Sequence, residues 1–282
     1  MKPSIESIEF HGIPAWRLNG PRGAKAVISQ LGAQVLSWQT PDGRERLFLS
    51  DKAVFDGSVS IRGGIPVCFP QFSTLGDLPK HGLVRTRPWS PAAERCGDDY
   101  ALITLEIADD EVTRAHWPHA FHAELTLMVE ADRIDIELCV TNTGGAPVSF
   151  TGALHSYLRL VQVEDAALEG LHGYEYRDAA NANRIVRDSG TEVIVDGPLD
   201  RIYHDVKRPL LLKAGNHSLG IQNQGFPDVV VWNPWVESCA AMTDMPADGW
   251  RQMLCVEAAI ARQPVSLPAG EDWYGRQTLV AV

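Results

Sequence analysis

Residues 121–145 read "FHAELTLMVEADRIDIELCVTNTGG". Phe121, Ala123, Leu125, Leu127 and Val129 alternate with more polar neighbours, and beyond a polar turn at Asp132-Arg133 so do Ile134, Ile136, Leu138 and Val140. Successive side chains of an extended chain point to opposite faces, so each apolar set occupies one side. The stretch predicts a hairpin of two half-buried antiparallel strands.

The same pattern extends outward. "ALITLEI" at 101–107 alternates in the same way, and "AKAVISQLGAQVLSWQT" at 24–40 and "HSLGIQNQ" at 217–224 look like short strands separated by turn residues. Clusters of Gly, Pro, Asn and Asp interrupt the chain at short intervals, as in sandwiches and barrels. Little of it reads as a long amphipathic helix, and no linker, low-complexity tract or clear repeat divides it. The expectation is an all-β, antiparallel domain spanning residues 1–282.

Composition limits the partners. At 282 residues and 45% hydrophobic, the chain can bury a substantial core. Its formal net charge of -11 argues against nucleic acid or an anionic membrane. The five cysteines are odd in number and none are spaced CxxC, which reads as free thiols in a reducing compartment. The N-terminal "MKPSIESIEFHGIPAW" lacks the apolar core of a signal peptide. No run approaches the roughly 18 apolar residues of a membrane span. A cytoplasmic monomer with a small-molecule partner is expected.

In so acidic a chain, a cation cluster needs a local reason. "IRGGIPVCFPQF" at 61–72 sets Arg62 beside Gly63 and Gly64, and "LPKHGLVRTRPW" at 78–89 adds Lys80, His81 and Arg85. Glycine permits close backbone approach or positive φ, and arginine's planar fork suits phosphate oxygens. These residues point to an anion.

Two further stretches carry proton-transfer candidates. In "VSFTGALHSYLRL" at 148–160, Val148, Phe150, Leu154, Leu158 and Leu160 form the apolar face, while Thr151, Ala153, His155, Tyr157 and Arg159 form the other. In "QMLCVEAAIA" at 252–261, Glu257 shares a face with Met253, Cys255, Ala259 and Ala261. A lone carboxylate among small side chains suits a pocket floor, although a buried carboxylate paired with arginine reads the same way. Histidine titrates near neutrality, and a partly desolvated glutamate can act as a base. Together they support proton transfer without metal or cofactor.

Other motifs carry less. His116, His119 and His122 in "HWPHAFH" would alternate faces along a strand, against a shared metal. No GxxxxGK[ST] loop, strand-GxGxxG-helix unit or HExxH occurs. Trp232 and Trp235 in "VVWNPWVE" suit either a sugar platform or the core.

The segments "RGGIPVCFPQF", "LPKHGLVRTRPW", "GALHSYLRL", "LDRIYHD", "VVWNPW" and "MLCVEAA" follow one another in the order found in a known family. From about Phe10 to Tyr274 the chain resembles the hexose-6-phosphate mutarotases, the glucose-6-phosphate 1-epimerase branch of the aldose 1-epimerase superfamily. The resemblance implies a galactose-mutarotase-like β-supersandwich that interconverts the α and β anomers of a hexose 6-phosphate. It implies His155 as acid and Glu257 as base. It implies Arg62 and Arg85 on the phosphate, and Asp200 and His81 on the sugar. Lys80 departs from a common Gln and Leu83-Val84 from a common Phe-Ala, so Lys80 bears on phosphate binding or substrate preference. The alternatives are a non-catalytic sugar-phosphate sensor, a glycoside hydrolase using Glu257 with Asp200, and a mutarotase for unphosphorylated aldoses.

Overall fold

The computed structural model describes residues 2–215 and 217–282. The hairpin is present as β8 (His122–Val129) and β9 (Arg133–Thr141). Its register sets Ala123 opposite Val140, Leu125 opposite Leu138, Leu127 opposite Ile136 and Val129 opposite Ile134. All eight side chains are buried. The turn closes one residue earlier than expected: Arg133 already belongs to the second strand, and the Glu130 N–H donates to its carbonyl at 2.9 Å.

Three antiparallel sheets form the described structure. The first runs β1 (Ser4–Phe10), β2 (Ile13–Asn19), β3 (Lys25–Ser29) and β4 (Val35–Gln39). The second has the order β14 (Arg184–Arg187), β13 (Glu175–Asp178), β16 (Leu199–Tyr203), β19 (Asp228–Asn233), β20 (Met253–Leu267), β10 (Val148–Leu154), β5 (Val67–Cys68), with β11 (Tyr157–Arg159) also on β20. The third is ordered β15 (Glu192–Ile194), β12 (Ala166–Glu169), β17 (Leu210–Ala214), β18 (His217–Gln224), β21 (Asp272–Ala281), β9, β8, β7 (Ala101–Ala108), β6 (Ser90–Cys96). The α-helices α1 (Glu111–His116) and α2 (Trp235–Ala240) are short. Among the described residues, no helix is long and apolar enough to cross a membrane.

The central strands of the second sheet are buried on both faces. Leu254, Val256, Ala258 and Ile260 of β20 join a core that includes Leu125, Leu127, Ile136 and Leu138 of the third sheet and Leu18, Ile28 and Trp38 of the first. Each Leu, Ile or Val side chain among them contributes roughly 1.5–3 kcal/mol on burial. Ala259 and Ala261, on the opposite face, join a smaller cluster with Cys68, Phe72, Ala153, Ile202 and Val230. That second face carries the cavity described below.

The stretch 148–160 is not one continuous strand. The register against β20 shifts between Phe150 and Gly152, and His155-Ser156 interrupts the ladder between β10 and β11. A side chain at Gly152 would come within 2.8 Å of the Cys68 carbonyl oxygen, which explains the residue type there. The break spans two residues and therefore preserves parity. Leu154, Leu158 and Leu160 stay in the main core, while His155 and Tyr157 reach the cavity.

Candidate active site

Sheet register assembles the cavity floor. Glu257 of β20 pairs with Val230 of β19, Val230 with Ile202 of β16, and Ile202 with Arg177 of β13. Two residues along, a parallel row runs Asp200, Trp232, Cys255 and Tyr157 over β16, β19, β20 and β11. Neighbouring strands lie about 4.8 Å apart, so each row projects four side chains to one side of the sheet. Loop residues Arg62, Lys80, His81 and Arg85 wall the space above, enclosing about 320 Å³. All seven residues singled out from the sequence (Arg62, Lys80, His81, Arg85, His155, Asp200 and Glu257) line this one cavity.

His155 and Glu257 meet in it. The ring nitrogen Nδ1 of His155 stands 3.4 Å from Oε1 of Glu257, outside hydrogen-bond geometry; among the described residues, His155 Nδ1 and Glu257 Oε2 are buried without a hydrogen-bond partner. The His155 ring stacks on Tyr157 at 4.7 Å and meets Trp232 and His81 edge-on. Its backbone N–H donates to the Pro66 carbonyl at 3.0 Å. Burial pushes the Glu257 carboxyl well above the usual glutamate range; the Asp200 charge adds to this and Lys80 opposes it. Burial likewise pushes His155 well below the usual histidine value, reinforced by the Arg62 and Arg85 charges. A low-dielectric cavity disfavours both charged forms.

His81 is a neutral ring. Burial, then Arg85 and Lys80, lower it to about 3. The Ser73 backbone N–H donates to its Nδ1 at 3.3 Å, and the Cys68 Sγ lies 3.2 Å from the same atom. Nδ1 therefore accepts, and the proton belongs on Nε2.

The cations differ in how free they are. Arg62 Nε donates to Asp244 Oδ2 at 3.1 Å, Nη2 lies 3.1 Å from the same oxygen, and Nη1 donates to the Tyr157 hydroxyl at 3.0 Å. Among the described residues, Lys80, Arg85 and Arg177 have no carboxylate within ion-pair distance; Arg85 Nη2 donates to the Lys80 carbonyl at 2.9 Å. The glycines beside Arg62 adopt the positive φ that their residue type permits, and the backbone they approach closely is the protein's own. A Cβ at Gly63 (φ 111°) would lie 2.4 Å from the Phe48 carbonyl oxygen, and one at Gly64 (φ 60°) 2.2 Å from that of Val35. They let the segment press against the protein's own backbone.

Four cavity residues escaped the sequence reading as site residues. Alternation puts Tyr157 on the His155 face without giving it a task, and Trp232 reads from sequence as either core or platform. Arg177 stands in the polar "EYRD" of β13 and Asp244 in an aperiodic loop, so neither has a neighbour pattern that marks it. Trp235 instead packs against Trp250 at 4.2 Å. His116, His119 and His122 lie outside the cavity lining. Among the described residues, His155, Cys255 and Glu257 place possible metal-ligand atoms within 4.8 Å of one another. Burial and then Glu257 push the Cys255 thiol well up, which disfavours the thiolate that binds metals.

Comparison with known proteins converges on one family. The aldose 1-epimerase family model matches residues 14–279. A protein of Cenchrus ciliaris named "putative glucose-6-phosphate 1-epimerase" is 35% identical over 278 residues, covering 94% of this chain and 84% of its own. A protein of the same name from Escherichia coli K12 is 32% identical, covering 85% and 81%. The crystal structure of a "putative mutarotase (YeaD)" from Salmonella typhimurium superposes with a TM-score of 0.89 at 27% identity, covering 99% of this chain and 97% of that one. A galactose mutarotase-like protein from Clostridium acetobutylicum shares the fold, at a TM-score of 0.78 and 14% identity over 100% of this chain and 99% of that one. The chain belongs to the aldose 1-epimerase family of carbohydrate isomerases.

Proposed function

We propose that the protein is a mutarotase acting on a hexose 6-phosphate, with His155 and Glu257 as its proton-transfer pair. One observation carries the reading: His155 and Glu257, each with a buried polar atom unpaired among the described residues, line a cavity that also holds cations without carboxylate partners among those residues. In the productive state, the Glu257 carboxylate takes the proton of the C1 hydroxyl. Protonated His155 gives its proton to the ring oxygen. The C1–O5 bond breaks and the aldehyde forms. Rotation about C1–C2 and the reverse transfers close the ring on the other face.

Opening leaves Glu257 protonated and His155 neutral, which is the state favoured by the direction of both shifts. The same shifts oppose forming the charged Glu257–His155 reactant pair, so burial favours the protonation states after opening while making the productive state the less populated one; no net charge enters or leaves the cavity. Asp200, Trp232 and the His81 Nε2–H suit the sugar hydroxyls and ring. Lys80 and Arg85 suit the phosphate, with Arg177 beyond Ile202 at the far end of the floor.

Anomer exchange on glucose 6-phosphate and on glucose, followed by NMR, tests the reading. The phosphorylated sugar should react with the higher kcat/KM. Arg85→Ala should cost that sugar about 10- to 100-fold, since a charged hydrogen bond is worth roughly 1.5–3 kcal/mol, and should barely affect glucose. Equal losses on both sugars would remove the phosphate assignment. A protein that binds the ligand without accelerating exchange would be a sensor.

A further inference from the structure

The Arg62–Asp244 pair is not an ordinary surface contact. The Arg62 side chain is 27% exposed and that of Asp244 16%. Asp244 sits in the loop between α2 and β20, and its backbone carbonyl accepts from the Ser50 hydroxyl at 2.7 Å. The same loop is tied down again where Cys239 Sγ donates to the Pro246 carbonyl at 3.2 Å. The carboxylate is therefore held in place inside the cavity wall, as both residues line the cavity. It occupies the Nε/Nη2 edge of the guanidinium, while Tyr157 takes one Nη1 hydrogen. Of the five N–H groups of an arginine, one on each Nη is left for a ligand.

We propose that Asp244 is a specificity-determining counter-anion, which shares Arg62 with the substrate phosphate and so sets how tightly an anionic sugar is held. The proposal rests on the 6-phosphate reading above. An anion docking on the remaining Nη hydrogens meets a guanidinium whose charge is already largely matched. It is also repelled by the fixed carboxylate on the opposite edge, in a cavity where screening is weaker than in bulk water. Lys80 and Arg85, which have no such partner, then supply most of the attraction, while Arg62 keeps Tyr157 in place beneath His155. Phosphate retention is weaker than the number of cations suggests, and release of the product anomer is correspondingly faster.

Asp244→Asn tests this, because its amide oxygen can still accept from Nε and Nη2 while the charge is gone. Wild type and variant are compared by KM on glucose 6-phosphate and on glucose, and by the inhibition constant of inorganic phosphate. The ratio of the glucose KM to the glucose 6-phosphate KM should rise about three- to thirty-fold, and phosphate should inhibit more strongly by a similar factor. Asp244→Glu, which restores the charge, should return the ratio toward that of the wild type. If Asp244→Asn does not fold, Asp244→Ser carries the same measurement with a neutral hydroxyl acceptor. A ratio that is unchanged or falls in a folded neutral variant overturns the proposal and leaves Asp244 a structural partner of Arg62. A wild type with no preference for the phosphorylated sugar overturns the 6-phosphate reading itself, and the wild-type measurement alone separates the two failures.

Discussion

Glu257 is a carboxyl that the fold would hold more comfortably without its charge. It is 1% exposed, and burial with the Asp200 field raises its pKa. A group whose folded pKa is raised adds stability below the unfolded value, and that stability is lost as pH rises through the folded pKa. The wild type therefore carries an increasing penalty above the ordinary glutamate value of 4.5. Glu257→Gln should be close to wild type in thermal stability near that value and several degrees more stable at pH about 8, at roughly 2–4 °C per kcal/mol. The same variant should lose anomer exchange by at least about 10²-fold. A pH-independent difference in melting temperature would mean that the carboxyl is not strained by burial. Alternation made His155 and Glu257 legible in the sequence, because each stood on the non-greasy face of a strand. The need for glycine at 63 and 64 is legible, but the sequence does not say whose backbone comes close. Arg177 and Asp244 were invisible because register and a loop bring them in.

At the scale of elements, the pair is held from behind. Gln277 of β21 reaches out of the third sheet and is 0% exposed. Its Oε1 accepts from the Ser156 hydroxyl, and its Nε2 donates to the Val256 carbonyl at 3.1 Å and to Asn223 Oδ1 at 3.2 Å. Ser156 follows His155 and Val256 precedes Glu257, so one side chain ties the Ser156 hydroxyl to the Val256 backbone, next to both groups. Gln277→Leu would leave buried polar groups unpaired, at about 1–3 kcal/mol each. It should lower the melting temperature and, with KM little changed, cut kcat about tenfold, as expected for a proton-transfer geometry loosened by a fraction of an ångström. A kcat equal to wild type in the folded variant would confine Gln277 to stability. The strands themselves were readable from the period of two. The interruption at His155-Ser156 was not, because it preserves that period, and a glutamine beneath the sheet has no signature in a single sequence.

For the molecule as a whole, one continuous core collects residues from Trp16 to Leu279 and from all three sheets. Such a core predicts a single cooperative unfolding transition in calorimetry, with calorimetric and van't Hoff enthalpies in agreement; two separable transitions would contradict the one-domain reading. A saturating sugar phosphate should shift that transition upward as a unit, by about 2.7 kcal/mol at a hundredfold excess over Kd. The sequence indicated an all-β chain, but composition and period alone could not show how the strands divide among three sheets, since long-range pairings such as β10 with β20 have no local signature. Substitutions on the two faces of the second sheet should also differ in effect. Leu254, Val256 and Ala258 face the packed interior, while Glu257 alternates with them toward the cavity. Val230 and Ile202 bridge the floor between Glu257 and Arg177 without touching the inter-sheet core. Evolution or a protein engineer can thus rewrite the substrate range at those two positions, shortening or polarising the floor for another sugar. The scaffold that keeps the protein folded is written in the intervening residues of the same strands.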